Sequence, residues 1–514
     1  MHRRSNPVLD ADWPDPDAIR AEGAYWMIAS SFQRAPGLPV LRSEDLVTWE
    51  HVTNALPALP PQDHYALPRR GSGVWAPSLR EHAGTYYIVY PDPDHGILVL
   101  SAPHPAGPWS TPWTLLPGRG LIDPCPLWDE DGRAYLVHGW ARSRAGVKNR
   151  LTLLEVTPDL TAPLGAGEVI IDGDALGMTT LEGPKTYRHD GWTWIYAPAG
   201  GVATGHQVVF RAPDVRGPYE HRIVLEQGDS EVNGPHQGAL VEDEDGSRWF
   251  LHFQDRGVFG RVVHVQPVTM GEDGWPRMGE PIDDVRGRPV PRVPVDEDGG
   301  EYTEPIRSDD FSAAVLHPRW HWQANPQEGW SHLAGDGRLR LAFVPSPRGD
   351  LRDHGAVLGQ QIPGRPSTWE VALTLPGLGP DQGIGPDAER AGMIVLGRNY
   401  AWAGLERGPD GVRLVARTMA DDQADEVEVA AVELTTDPRR EVSVRLRLDV
   451  DAAGRIGITA EGRALLTQWQ AMEGHWIGAE IGLFAAGTGP VRESVAARAA
   501  SFGPVQVRRE GRDA

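Results

Sequence analysis

Apolar stretches of strand length recur along the whole chain, bounded by glycine, proline, asparagine or aspartate. Long segments with a 3.6-residue period are nearly absent. This pattern predicts strands and turns almost throughout, hence an all-β fold. In the first half the strands form a repeat, with units opening at Asp15, Ala76, Asp123, Glu182 and His236, about 55 residues apart. Each opening strand runs into a glycine (Gly23, Gly84, Gly132, Gly191, Gly246), and an aromatic-rich second strand follows, as at Tyr25-Trp26 and Trp249-Phe250. In three units the glycine follows aspartate, the dipeptide that favours a tight hairpin turn. The ends of the units also match: SEDLVTW at 43–49, APHPAGPW at 102–109, TPDLTAPL at 157–164 and APDVRGPY at 212–219. A hairpin, further strands and a stereotyped closing turn describe a propeller blade. Residues 1–285 are therefore expected to form a five-bladed β-propeller, a sandwich with coincidental spacing being the alternative.

Residues 286–308 are rich in proline and charge and read as a linker or extended strap. From Asp309 to Ala514 the text changes. Alternating stretches such as Leu339–Phe343, Trp369–Leu375, Glu441–Val450 and Ile481–Ala485 suit the antiparallel strands of a C-terminal β-sandwich.

Composition narrows the function. The 514 residues are 40% hydrophobic and 23% charged, as in an ordinary soluble protein. The single cysteine, Cys125, excludes an intramolecular disulfide and a multi-cysteine zinc site. A net charge of −22 repels nucleic acid and anionic membrane surfaces and suits a neutral substrate. No apolar run approaches the roughly 18 residues of a membrane span, and the start shows no secretory signal, so the expected address is cytoplasmic. Tryptophan (19) outnumbers phenylalanine (9), which suits sugar-stacking faces as well as β-rich cores. Lysine occurs only at Lys148 and Lys185, which reads as compositional bias. The expected partner is a small carbohydrate, with no nucleic acid and no membrane; a homo-oligomer is left open.

The innermost strand of each propeller blade lines the central channel, so equivalent positions converge although they are far apart in sequence. Asp15, Asp123 and Glu182, with His236 and Trp75, would share one funnel. Crowding three acids costs free energy that a purely structural repeat has no reason to accept. The alternative is that each caps a turn or pairs with an arginine. Converging carboxyls of unequal acidity suit general acid and base chemistry, and glycoside hydrolysis uses two of them.

The blade motifs carry a family resemblance. NPVLDADWPDPD (6–17), GVWAPS (73–78), LIDPCPLWDEDG (121–132), TLEGPKTY (180–187), NGPHQGALVEDEDG (233–246) and FQDRGVFGRVVHVQP (253–267) resemble glycoside hydrolase family 43. Residues 305–508, opening with DDF at 309–311, resemble the sandwich appended to its β-xylosidase and α-L-arabinofuranosidase members. The resemblance implies an exo-acting, inverting hydrolysis that releases a terminal pentose. Asp15 would be the base, Glu182 the acid, and Asp123 the residue that keeps the acid protonated and oriented. It also implies Trp75 at the pocket floor, Phe32 as an aromatic wall, and Arg261 on the sugar hydroxyls and the acid. His236 would lie near a structural calcium, with no other cofactor required. GPHQG and GMTTLEGPK point to a branch holding both xylose- and arabinofuranose-releasing enzymes. Two other functions remain in view: a retaining five-bladed glycosidase, against which the WPDPD and LIDP heads argue, and a non-catalytic sugar-binding propeller, which would not need all three acids.

Overall fold

The computed structural model describes residues 2–295, 305–346, 349–379, 382, 389–487 and 498–510. The first half is a five-bladed propeller. Blade I holds Asp17–Ala21, Ala24–Ile28, Gly37–Ser43 and Trp49–Leu56. Blade II holds Ser78–His82, Thr85–Asp92, Gly96–Ala102 and Trp113–Pro117, and blade III Leu121–Trp128, Ala134–Trp140, Arg150–Val156 and Glu168–Asp172. Blade IV is built on Lys185–His189, Trp192–Ala199, His206–Ala212 and Glu220–Leu225, and blade V on His236–Glu242, Arg248–Asp255, Arg261–Met270 and Pro276–Met278. The second strand of blade I, AYWMI, is buried at every position. It packs on both faces against neighbouring blades and so reads as a continuous apolar run.

The inner hairpins differ from the Asp-Gly expectation. Tight two-residue turns sit at Glu22-Gly23, Ala83-Gly84 and Asp190-Gly191, with both residues at positive φ. At Asp131-Gly132 and Asp245-Gly246 the loop is longer. There the carbonyls of Asp129 and Asp243 accept from the amides of Gly132 and Gly246 (3.0 Å each), a turn completed by a left-handed glycine. The dipeptide therefore marks the turn, while the aspartate two residues earlier sets its length.

The ring is latched by the start of the chain. Val8 N donates to Val263 O (2.8 Å) and Val263 N to Leu9 O (3.0 Å), which extends blade V where Pro276–Met278 does not reach. The stretch expected to be a linker begins tied to the propeller. Gly287 pairs beside Leu225 of blade IV, and Arg292–Val295 pairs antiparallel with His2–Ser5. Residues 296–304 lie outside the described residues.

The second half is a sandwich of two eight-stranded sheets. The central strand Ser367–Leu375 alternates buried and non-buried positions, as does its partner Val442–Val450. The strands Tyr400–Gly408, Val427–Thr435 and Arg463–Gln470 escaped the sequence reading. Tyr400–Gly408 is buried along nearly its whole length, so it shows no alternation. Two short strands near the end of the chain, Ala499–Phe502 and Gln506–Arg509, both pair with Ser367–Leu375. One apolar cluster runs from Trp13 and Phe259 of the propeller to Trp322 and Ile481 of the sandwich. The two halves thus share a core.

Candidate active site

An axial cavity of about 300 Å³ is lined by Asp15, Asp123, Glu182, Trp75, Phe32 and Arg261, together with Gln237 and, from the sandwich, Trp476. Six side chains named from sequence therefore meet in one place.

Asp15 stands two residues ahead of the inner strand of blade I, with φ of 54°. Aspartate tolerates that left-handed conformation better than most residues, and such strain gathers at functional positions. Ser30 Oγ donates to its Oδ2 at 2.5 Å, and Arg261 Nη1 to its Oδ1 at 3.0 Å. Both carboxylate oxygens thus accept hydrogen bonds.

Asp123 adopts the same conformation, φ 56°, but lies inside its strand, where the register slips between Ile122 and Cys125. The slip turns its carboxylate across to blade IV, where Oδ2 accepts from Gly183 N at 2.7 Å. Gly183 has φ of 58°, and a Cβ there would meet Gln237 at 2.9 Å, so glycine is required beside the acid. Burial pushes Asp123 up to about 8. The charges of Glu182 and Asp15 add to the rise, and the Gly183 hydrogen bond and Lys185 oppose it. Asp123 is 4% exposed, whereas the Glu182 side chain, 25% exposed, reaches the mouth.

Glu182 is anchored through its neighbour, Leu181 N donating to Asn149 Oδ1 at 2.7 Å, and its own Oε1 meets His236 Nε2 at 3.0 Å. Here two expectations exchange. Arg261 bonds Asp15 rather than Glu182, because it opens the third strand of blade V beside blade I. His236, at the head of the inner strand of blade V, faces blade IV and meets Glu182. Among the described residues no group of three or more His, Cys, Asp or Glu side chains is placed to hold an ion. Calcium takes six to eight oxygen ligands. His236 Nε2 is directed at Glu182, and its Nδ1 has no hydrogen-bond partner among the described residues.

Trp75 and Phe32 form the aromatic wall, their rings 6.1 Å apart. Phe32 is held by a reciprocal backbone pair with Val74. Trp476 of the sandwich lies edge-on beside Trp75, their rings 6.3 Å apart, and lines the same cavity. Further down the channel Lys185 is fully buried, donating to Pro77 O (2.6 Å) and Ser78 Oγ (2.8 Å) and lying 3.8 Å from Asp17. The other lysine, Lys148, lines the cavity and donates to Thr180 Oγ1 at 3.3 Å. Lys185 thus stands buried in the channel and Lys148 exposed at its mouth; neither was singled out from sequence as a site residue. Ser30, Gln237 and Trp476 were also missed. Gln237 stood inside a quoted motif, Ser30 beside Phe32, and Trp476 gave no sign. The Nε atoms of Gln237 and Arg261 have no hydrogen-bond partner among the described residues. A sugar hydroxyl in this cavity would satisfy such groups.

Carboxyls of unequal burial around an aromatic-walled axial pocket define a glycosidase site. The chain belongs to glycosyl hydrolases family 43, whose model matches residues 4–276, and a beta xylosidase C-terminal Concanavalin A-like domain matches residues 308–500. It is 36% identical over 407 residues to a putative beta-xylosidase of Xylanibacter ruminicola, covering 77% of this chain and 72% of that one. It is 29% identical over 357 residues to a non-reducing end alpha-L-arabinofuranosidase of Bacteroides ovatus, covering 65% and 64%. The crystal structure of a xylan beta-1,4-xylosidase from Bacillus halodurans aligns with a TM-score of 0.81 at 21% identity, covering 98% of this chain and 100% of that one, a likeness of fold. The protein is a glycosidase and acts on carbohydrate. Among the described residues no helix is long and apolar enough to cross a membrane.

Proposed function

We propose that the protein releases terminal pentose, xylose or arabinofuranose, from short oligosaccharides by single displacement with inversion. The observation that carries this reading is the unequal setting of the two outer carboxyls. Asp15 has both oxygens engaged by Ser30 and Arg261, while Glu182 stands half-buried at the mouth against Asp123 and His236. Asp15 takes a proton from water as the water oxygen bonds to the anomeric carbon. Glu182 gives a proton to the departing glycosidic oxygen as the C–O bond breaks. The products are a free pentose of inverted configuration and the shortened alcohol. Phe32, Trp75 and Trp476 leave room for one chain end, which supports exo action. The names of the relatives above support pentose as the leaving sugar.

The test is proton NMR of nitrophenyl β-xyloside and α-L-arabinofuranoside hydrolysis. Inverted product at early times is expected, and retained configuration would remove Asp15 from its role. Chromatography of a xylo-oligosaccharide digest should show monosaccharide first; mid-length fragments without it would refute exo action.

A further inference from the structure

Three residues ahead of the base lies Asp12, 1% exposed. Its Oδ1 accepts from the backbone N–H of Arg261 at 2.9 Å, and its Oδ2 from Arg34 Nη1 at 2.9 Å. The backbone of Gly478 lies beside it, against Gly260. Arg34 follows Phe32 by two residues, and its Nε donates to Glu480 Oε1 of the sandwich at 2.8 Å. Glu480 Oε2 meets His321 Nε2 at 2.7 Å and Gln323 Nε2 at 2.6 Å. The side chains of Asp12, Arg34 and Glu480 are 0, 4 and 2% exposed.

The packing around Asp12 is equally close. A Cβ at Gly260 would lie 2.2 Å from Asp12 Oδ1, and one at Gly478 would lie 2.7 Å from Gly260 N. The sandwich loop that carries Trp476 therefore docks directly on the carboxylate, and Ala479 N donates to Val258 O beside it. Four pieces of the pocket end on this one cluster: the chain leading to Asp15, the chain leaving Phe32, Arg261, and the loop of Trp476.

Stability gives a weak reason for such an arrangement. Buried ions lose hydration, and well-packed apolar residues often serve as well. Direction gives a better one, because charged hydrogen bonds fix geometry that apolar contacts leave loose. We propose that Asp12, Arg34 and Glu480 are positioning residues through which the sandwich holds Arg261 on Asp15 and Trp476 over the pocket. This rests on the reading of Asp15 as the base.

The test uses the full chain and the near-isosteric variants Asp12→Asn and Glu480→Gln, with Arg34→Lys and Arg34→Met. Folded Asp12→Asn is expected to lose about tenfold or more in kcat, with KM changed by less than about threefold, since small misplacement of a reacting group is costly. The acid limb of kcat/KM should move to higher pH, because an aspartate whose guanidinium partner drifts away takes up a proton more readily. Glu480→Gln should shift both readouts the same way and by less. Arg34→Lys should recover part of what Arg34→Met loses, as an ammonium reaches one of the two acids but not both. A merely structural role would lower activity in proportion to the folded fraction and leave the pH profile in place. That result in Asp12→Asn and Glu480→Gln overturns the proposal. Where Asp12→Asn does not fold, Glu480→Gln and Arg34→Lys decide by the same readouts. Asp15→Asn separates the two levels: full activity there refutes the base assignment itself, while an inert Asp15→Asn beside unmoved network variants refutes only the positioning role.

Discussion

The propeller and the sandwich are both built from antiparallel strands, yet they treat polar residues in opposite ways. In the sandwich the pleat sorts them. Along Val442–Val450 the buried positions are Val444, Leu446, Leu448 and Val450, and Ser443, Arg445 and Arg447 are exposed between them. In the propeller the first residues of inner strands such as Asp17–Ala21, Ser78–His82 and Lys185–His189 are buried, and the polar groups carried there turn to the axis. Asp17, Lys185 and Ser78 meet there fully buried, and Asp15, Asp123 and Glu182 meet at its upper end. A sandwich hides its apolar face and shows its polar one, whereas a ring of blades collects polar side chains at a point, which is what a reaction requires.

The comparison is broken most severely at the base. Asp15→Ala is expected to cost about 10²- to 10⁴-fold in kcat on every substrate, since water loses its proton acceptor. Glu182→Ala should lose as much on natural oligosaccharides and little on a dinitrophenyl glycoside, whose leaving group departs unprotonated. Steady-state kinetics on both substrates checks this, and equal losses for Glu182→Ala would refute its assignment.

In the sandwich the same kind of insult should act on folding alone. Leu446 is fully buried in the shared core, and Leu446→Ala is expected to cost about 2–5 kcal/mol by leaving a cavity. Denaturant titration measures the loss, and kcat per folded molecule should be unchanged. A fall in kcat of the folded variant would deny that the two halves divide their labour in this way.

Asp123 sharpens the contrast because it sets stability against chemistry. Its folded carboxyl titrates near 8, above the unfolded value of about 3.9. Between those values the folded state holds a proton that the unfolded state has released, so this group's contribution to stability falls as pH rises from about 4 to 8. Asp123→Asn should therefore be more stable than the parent at pH 8 to 9, on the order of 1–3 kcal/mol, with the difference vanishing near pH 4. Thermal melting across that range tests the sign, and activity should fall at every pH.

The smallest expected effect is where the sandwich reaches into the pocket. Trp476 is 54% exposed and contacts Trp75 at its edge. Trp476→Ala should lower kcat/KM by about three- to tenfold, the worth of one aromatic contact, through KM more than kcat. An unchanged KM for oligosaccharide would make the sandwich a brace and nothing more.

Much of the site was legible because repetition carried it. A blade head is recognisable by its place in the unit, so Asp15, Asp123, Glu182 and Trp75 come together from the sequence alone. Partners assigned across blades were less legible. Arg261 and His236 were both placed at the pocket, but which of them meets the base and which the acid depends on the neighbouring blade each edge faces. Trp476 was invisible, and Asp12, though inside the quoted NPVLDADWPDPD, was unmarked, for another reason. One lies on a sandwich loop without periodicity, and the other belongs to the latch segment ahead of the first blade, so no repeat position announced either.

What the sequence determined by itself is therefore the set of local choices that recur: the strand and turn periods, the five units, the change of pattern after residue 308, and the carboxyl at each of three heads. These follow from hydrogen bonding and burial within tens of residues, and they are written into every copy. The tertiary structure alone decided which oxygen faces which donor, why Asp123 and not Glu182 is the driest acid, and that a side chain of the sandwich lines the pocket. Those outcomes depend on distances between residues such as Arg34 and Glu480, which stand 446 positions apart, and on a local dielectric that exists only once blades and sandwich have packed.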